Sequence, residues 1–141
     1  MPAVNTSMPV SRHTRFNAVQ VSTAETSLTA PTLSSLGLLV NAVGVQNGVR
    51  VLLIEATATA TTATNKLRFW LRRPDDAWIM LPEKTMAAAT ISATVAASNG
   101  TYKPPELMVI PEGWKLYVST LNAETWNVII YASDMEKDSS D

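Results

Sequence analysis

Short runs rich in valine, isoleucine, threonine and aromatic residues recur from Phe16 to Tyr131. Each is closed by proline, glycine, asparagine, aspartate or serine, and no stretch sustains the 3.6-residue apolar period of an amphipathic helix. β-Branched side chains lose rotamer freedom against a helical turn but pack well on a pleated sheet, so the pattern predicts strand after strand. Phe16–Val21 and Gly37–Ala42 read as strands, and Val49–Ala60 as a longer one that fades through threonines and alanines into a loop by Thr64. Leu67, Phe69 and Leu71 alternate with Lys66, Arg68, Trp70 and Arg72, which predicts one apolar and one basic face on a single strand. Arg73-Pro74-Asp75-Asp76 supplies a turn, Ala77–Leu81 the returning hairpin arm, and Pro82 its stop. Ala87–Val95 alternates weakly and, with the turn dipeptide Asn99-Gly100, reads as a hairpin or bulged strand. Pro104-Pro105 excludes a central strand at that point, and Leu107–Ile110 then runs into a tight turn at Pro111–Gly113. Lys115–Thr120 and Trp126–Tyr131 are the last two strands. About seven to nine short strands joined by turns predict an all-β fold, an antiparallel β-sandwich of jelly-roll-like type or a barrel.

The 141 residues suit one domain, expected over residues 16–133. Residues 1–15 carry breakers and polar groups with Arg12 and Arg15 but no acid, and read as a flexible arm. Residues 134–141 hold four acids and one lysine and read as a disordered acidic tail. Charged residues are only 16% of the chain and the net charge is -1, so no bulk field draws it to nucleic acid or an anionic membrane. No apolar run approaches the roughly 20 residues that span a bilayer, and the N-terminus has no apolar signal core, so the chain reads as soluble.

Catalytic chemistry is poorly supplied. Without cysteine there is no thiolate nucleophile, disulfide or zinc-thiolate site, and a single histidine, His13, excludes a multi-histidine metal centre within one chain. Glu55, Asp75, Asp76, Glu83, Glu106, Glu112 and Glu124 are scattered singly or lie in turns, and the serines and threonines have no base beside them. The expectation is no enzyme, no cofactor and no metal, with Asp75-Asp76 explained by turn chemistry rather than calcium. Arg68, Trp70 and Arg72, flanked by Lys66 and Arg73, form a cationic and aromatic stripe of the kind that stacks on oligosaccharide or nucleic acid. A solvated strand face or a subunit interface is the stronger expectation. With Arg12 and Arg15 of the arm, these residues are the candidate interface.

The residues Gly48–Thr57, Lys66–Leu71, Ile91–Val95 and above all Pro111-Glu-Gly-Trp-Lys-Leu-Tyr-Val-Ser-Thr-Leu-Asn-Ala-Glu-Thr-Trp-Asn-Val-Ile-Ile-Tyr-Ala-Ser-Asp134 resemble a family of small tailed-bacteriophage virion proteins. The signature is a glycine-aromatic turn leading into a strand, then Ser-Thr-x-Asn-Ala-Glu-x-aromatic-Asn-Val and a terminal strand. This chain departs from it at Tyr131-Ala-Ser133, where relatives carry glycines, and past Asp134. The resemblance implies a structural component of the particle, made in the host cytoplasm; it does not fix the place on the virion, where a head decoration (cement) protein on the major capsid protein is the preferred assignment. The alternatives are a tail, baseplate or fibre component, or a carbohydrate-binding host-attachment module. A head position adds the expectation of a symmetric homo-oligomer, with a trimer as the leading form, because capsid lattices offer three-fold positions.

Overall fold

The computed structural model describes residues 13–104 and 108–135. They form ten strands and one short 3-10 turn at Leu33–Ser35: β1 (His13–Val21), β2 (Gly37–Asn41), β3 (Val49–Ala58), β4 (Asn65–Arg72), β5 (Trp78–Met80), β6 (Lys84–Met86), β7 (Asn99–Tyr102), β8 (Val109–Ile110), β9 (Lys115–Thr120) and β10 (Trp126–Asp134). Every ladder between named strands is antiparallel. The all-β sandwich expected from the sequence is the observed fold.

The strand orders are β1-β10-β3-β7, with β8 also on β3, and β2-β9-β4-β5, with β6 also on β4. β5 pairs with the end of β4 and β6 with its start, so these two are one edge position interrupted around Pro82. β7 and β8 likewise share one edge of β3. Ten segments therefore fill four positions in each sheet, and from position to position the chain alternates between sheets except at the β4–β5 hairpin, which is the order of a jelly roll. The strand segments exceed the expected seven to nine because proline-bearing interruptions split two edge strands, while the number of positions stays within it.

The core lies between the sheets. Val51, Ile54 and Ala56 of β3 and Trp126, Val128 and Ile130 of β10 face Leu67 and Phe69 of β4 and Leu116 and Val118 of β9, all buried. Phe69 stacks on Tyr102 at 5.1 Å between ring centres, joining β4 to β7 across the layers. Burying one such side chain contributes about 1.5–3 kcal/mol, and these central strands hold most of them.

Three local expectations change. Ala87–Val95 is not a strand: apart from a bridge between Thr62 and Ala89, it is irregular. The Ser92 hydroxyl accepts from the backbone N–H groups of Thr94 and Val95, a local turn that competes with any ladder. Asn99-Gly100 is not a turn but the start of β7, where the glycine leaves room for Met86; a Cβ there would meet Met86 Cε at 3.1 Å. The paired core also outruns the domain limits read from sequence, since β1 begins at His13 and pairs residue for residue with β10 as far as Asp134. Residues 1–12 of the expected arm and 136–141 of the expected tail lie outside the described residues.

Candidate functional site

The expected basic stripe on β4 is largely internal. Trp70 is 0% exposed and Arg68 only 7%. The Trp70 indole N–H donates to Ser119 Oγ at 2.9 Å, and its ring meets the edge of Trp78, which in turn packs on Tyr117. Arg68 donates through Nε to Glu83 at 2.6 Å and through Nη1 to the Ser27 carbonyl at 3.3 Å. β4 is a central strand, and the segment between β1 and β2 reaches over its second face at Arg68, while Trp70 lies buried against Ser119 and Trp78, so neither presents a binding platform. Burial of Arg68 and Trp70 corrects both the solvated face or subunit interface expected of them and the alternative of a stacking stripe for sugar or nucleic acid.

Glu25 holds this cover in place, and the sequence reading passed over it. Its backbone N–H donates to the Thr120 carbonyl, while its carboxylate accepts from Ser27 N–H at 3.1 Å, Thr32 N–H at 2.6 Å and Ser35 Oγ at 2.6 Å. Burial pushes the Glu25 carboxyl up, but hydrogen bonds from Ser35, Thr32 and Ser27, with the nearby Arg68 charge, hold it below its ordinary value of 4.5. The Arg68 hydrogen bond likewise holds Glu83 low against its own desolvation, aided by the charges of Arg68 and Lys66. The available signal was a lone acid in a stretch of serines, threonines and a proline, whose many backbone donors need an acceptor.

Arg15 and Arg72 are brought to one end of the sandwich. Arg15 pairs with Asp134 and donates to the Asn41 carbonyl. Asn41 lies opposite Lys115, which lies opposite Arg72. The Arg72 guanidinium sits 4.8 Å over the Trp78 ring and 3.3 Å from Asp76, and Arg73 sits 6.0 Å over Trp114. A shallow cleft of about 270 Å³ lies among Arg72, Arg73, Lys115, Pro74 and Gly113. Acids already partner the two arginines, since Asp75 lies 3.5 Å from Arg73, so this end is a braced corner more than an open anion site. Arg12 and Glu106 lie outside the described residues. Among the described residues, no group of three or more acids or histidines is placed to hold a metal ion.

The signature from Ser119 to Glu124 builds scaffold. Ser119 receives Trp70, Thr120 Oγ1 receives Asn65 Nδ2 at 2.7 Å, and Glu124 receives Asn65 Nδ2 at 2.9 Å and Ala63 N–H at 2.8 Å. Asn65 is 1% exposed, and its Oδ1 accepts from the N–H groups of Lys66 and Asn122. Asn122 Nδ2 closes the network on the Thr64 carbonyl. The most specific part of the resemblance thus staples the β9–β10 connection to the start of β4.

The feature best suited to a partner is the outer face of the β1-β10-β3 sheet. Phe16, Tyr131 and Leu53 lie side by side across three strands, with the Phe16 and Tyr131 rings edge to face at 5.5 Å. Leu52 bulges beside them where the β3–β10 register shifts, and Ala18, Ile129 and Glu55 form the next row. Phe16 is 64% exposed and Leu52 41%. Among the described residues, no segment is hydrogen-bonded across this face, in contrast to the cover over β4. No helix among the described residues is long and apolar enough to cross a membrane. No protein-family model and no curated protein matches the chain.

Proposed function

We propose that this chain is a structural protein of a tailed-bacteriophage particle, a head decoration protein that docks on the outside of the major capsid protein and stabilises the shell. The observation that carries the reading is the apolar row Phe16–Tyr131–Leu53 with Leu52, held on a rigid two-layer body. An exposed apolar cluster rimmed by polar residues, here Glu55, Gln20, Asn127 and Thr57, is the usual mark of a protein contact. The resemblance over Pro111–Asp134 supplies the particle context. A jelly roll hosts many functions, so the fold agrees with the proposal without deciding it. A tail, baseplate or fibre position would use the same face at a different copy number. The carbohydrate-binding alternative loses its main support with the burial of Trp70.

Purified protein added to particles that lack it tests the reading. Wild type should co-sediment to saturation. Tyr131→Glu places a charge in the centre of the face and should reduce occupancy at least tenfold, with little change in thermal midpoint because the position is partly solvated. Equal occupancy by the variant would overturn the assignment of this face. Failure of wild type to bind any head would overturn the function.

A further inference from the structure

Among the described residues, four edge positions flank the two sheets, and three are interrupted or short. β5 and β6 are separated at Pro82, and β7 and β8 by a segment containing Pro104. β2 has five residues and a register shift between Leu38 and Val40. Such interruptions stop an edge from pairing with another chain. β1 has none of them. Its nine residues pair with β10 without a register shift, and Thr14–Val21 contains no proline, glycine or lysine.

The direction of the groups that have no ladder partner among the described residues follows from the β1–β10 ladder. Ala58 N–H donates to Ser98 on the β7 side of β3, whereas Thr59 N–H donates to Thr125 on the β10 side. Alternation through the β3–β10 and β1–β10 registers leaves the N–H and C=O groups of Thr14, Phe16, Ala18 and Gln20 pointing away from β10. All four residues are exposed. Beside this edge a groove of about 390 Å³ opens between β1 and β2, with Leu38, Val40, Ile130 and Ala132 in its lining.

We propose that β1 is a self-association edge, which pairs antiparallel with β1 of a second copy about a two-fold axis at Asn17. Of the antiparallel self-pairings, this register is the one in which all four outward-pointing residues face one another, Phe16 with Ala18 of the second copy and Thr14 with Gln20 of the second copy. The large exposed Phe16 ring meets the small alanine, polar meets polar, and Arg15 faces Val19 of the second copy rather than its own counterpart. The strand is thus complementary to itself, as an isologous contact requires, and about eight main-chain hydrogen bonds would join the two sheets. The pairing also brings the two Phe16–Tyr131 rows onto one continuous surface. The inference concerns the isolated chain and stands independently of any particle.

Hydrogen exchange and sedimentation of the full chain over a concentration series test it. The expected result is a monomer–dimer equilibrium in which the amides of Thr14, Phe16, Ala18 and Gln20 become protected at least tenfold as dimer forms. Ala18→Pro removes an N–H that points off the edge and leaves the β10 ladder intact, so it should shift the equilibrium at least tenfold toward monomer with a nearly unchanged melt. Should that variant misfold, the exchange pattern of wild type still decides. A chain that stays monomeric to about millimolar concentration, a trimer, or a dimer with these four amides unprotected would overturn the proposal. So would protection that does not vary with concentration and vanishes on deleting residues 1–12, because the edge would then belong to the chain's own N-terminal segment.

Discussion

Glu25 is the residue on which the covered face of β4 depends most. Replacing it with glutamine exchanges an acceptor of three hydrogen bonds for an amide that brings donors of its own, leaving buried groups short of partners at a cost of about 1–3 kcal/mol. Both Glu25 and Glu83 are held below the ordinary 4.5, so the stability they contribute is complete above that value and is lost as pH falls through their lowered folded values. Urea unfolding at several pH values should therefore show wild type more stable than Glu25→Gln near neutrality, with the difference narrowing below pH 4.5. A gap constant across that range would contradict the role given to this carboxylate. The misreading of Trp70 has a related cause. Alternation along β4 correctly separated Leu67 and Phe69 from Arg68 and Trp70, but a strand's own pattern does not say whether a second layer covers its polar side. Arg68 could be buried because Glu83 and the Ser27 carbonyl meet it there, and both partners come from distant segments.

Among the elements, those bounded by strong backbone chemistry were legible. The β4–β5 hairpin follows from Pro74 and the aspartates, with Asp76 in the left-handed region at φ 67° and its N–H bonded to the Arg73 carbonyl. The Pro111–Gly113 turn is closed by Trp114 N–H on the Pro111 carbonyl. Elements whose identity rests on a neighbour were not. Gly100 looked like a turn residue because nothing in the sequence reveals that Met86 lies over it, and Ala87–Val95 had the alternation of a strand without side chains large enough to secure a ladder. Gly48 gives a sharp test of the β2–β3 connection. It has φ +82°, and an added Cβ would run into the Ile110 carbonyl of β8. Gly48→Ala should cost about 2–3 kcal/mol in chemical denaturation, combining left-handed strain with a backbone clash. A cost below roughly 0.5 kcal/mol would mean that β8 is not packed against this turn as described.

At the scale of the whole molecule, the two sheets are unequal. One has its second face covered in part by the Glu25 segment, over Thr120 and Arg68, and the other carries an exposed apolar row and the long β1 edge. The all-β class was readable because period-two patterning is local, while this inequality was not, since it depends on which loops fold over which sheet. The polar signature from Ser119 to Glu124, the strongest thread of the resemblance, is spent on internal hydrogen bonds, so the proposed docking rests on Phe16, Leu52, Leu53 and Tyr131, which no motif marks. The assignment to the head makes a quantitative demand, because decoration follows the capsid lattice and therefore the copy number of the major capsid protein. Counting this protein against the major capsid protein in purified particles, by calibrated mass spectrometry, is the most direct test. The account predicts on the order of hundreds of copies, in a fixed ratio to the capsid subunit set by lattice symmetry. A few copies to a few tens per particle would place the chain in the tail or fibres and contradict it.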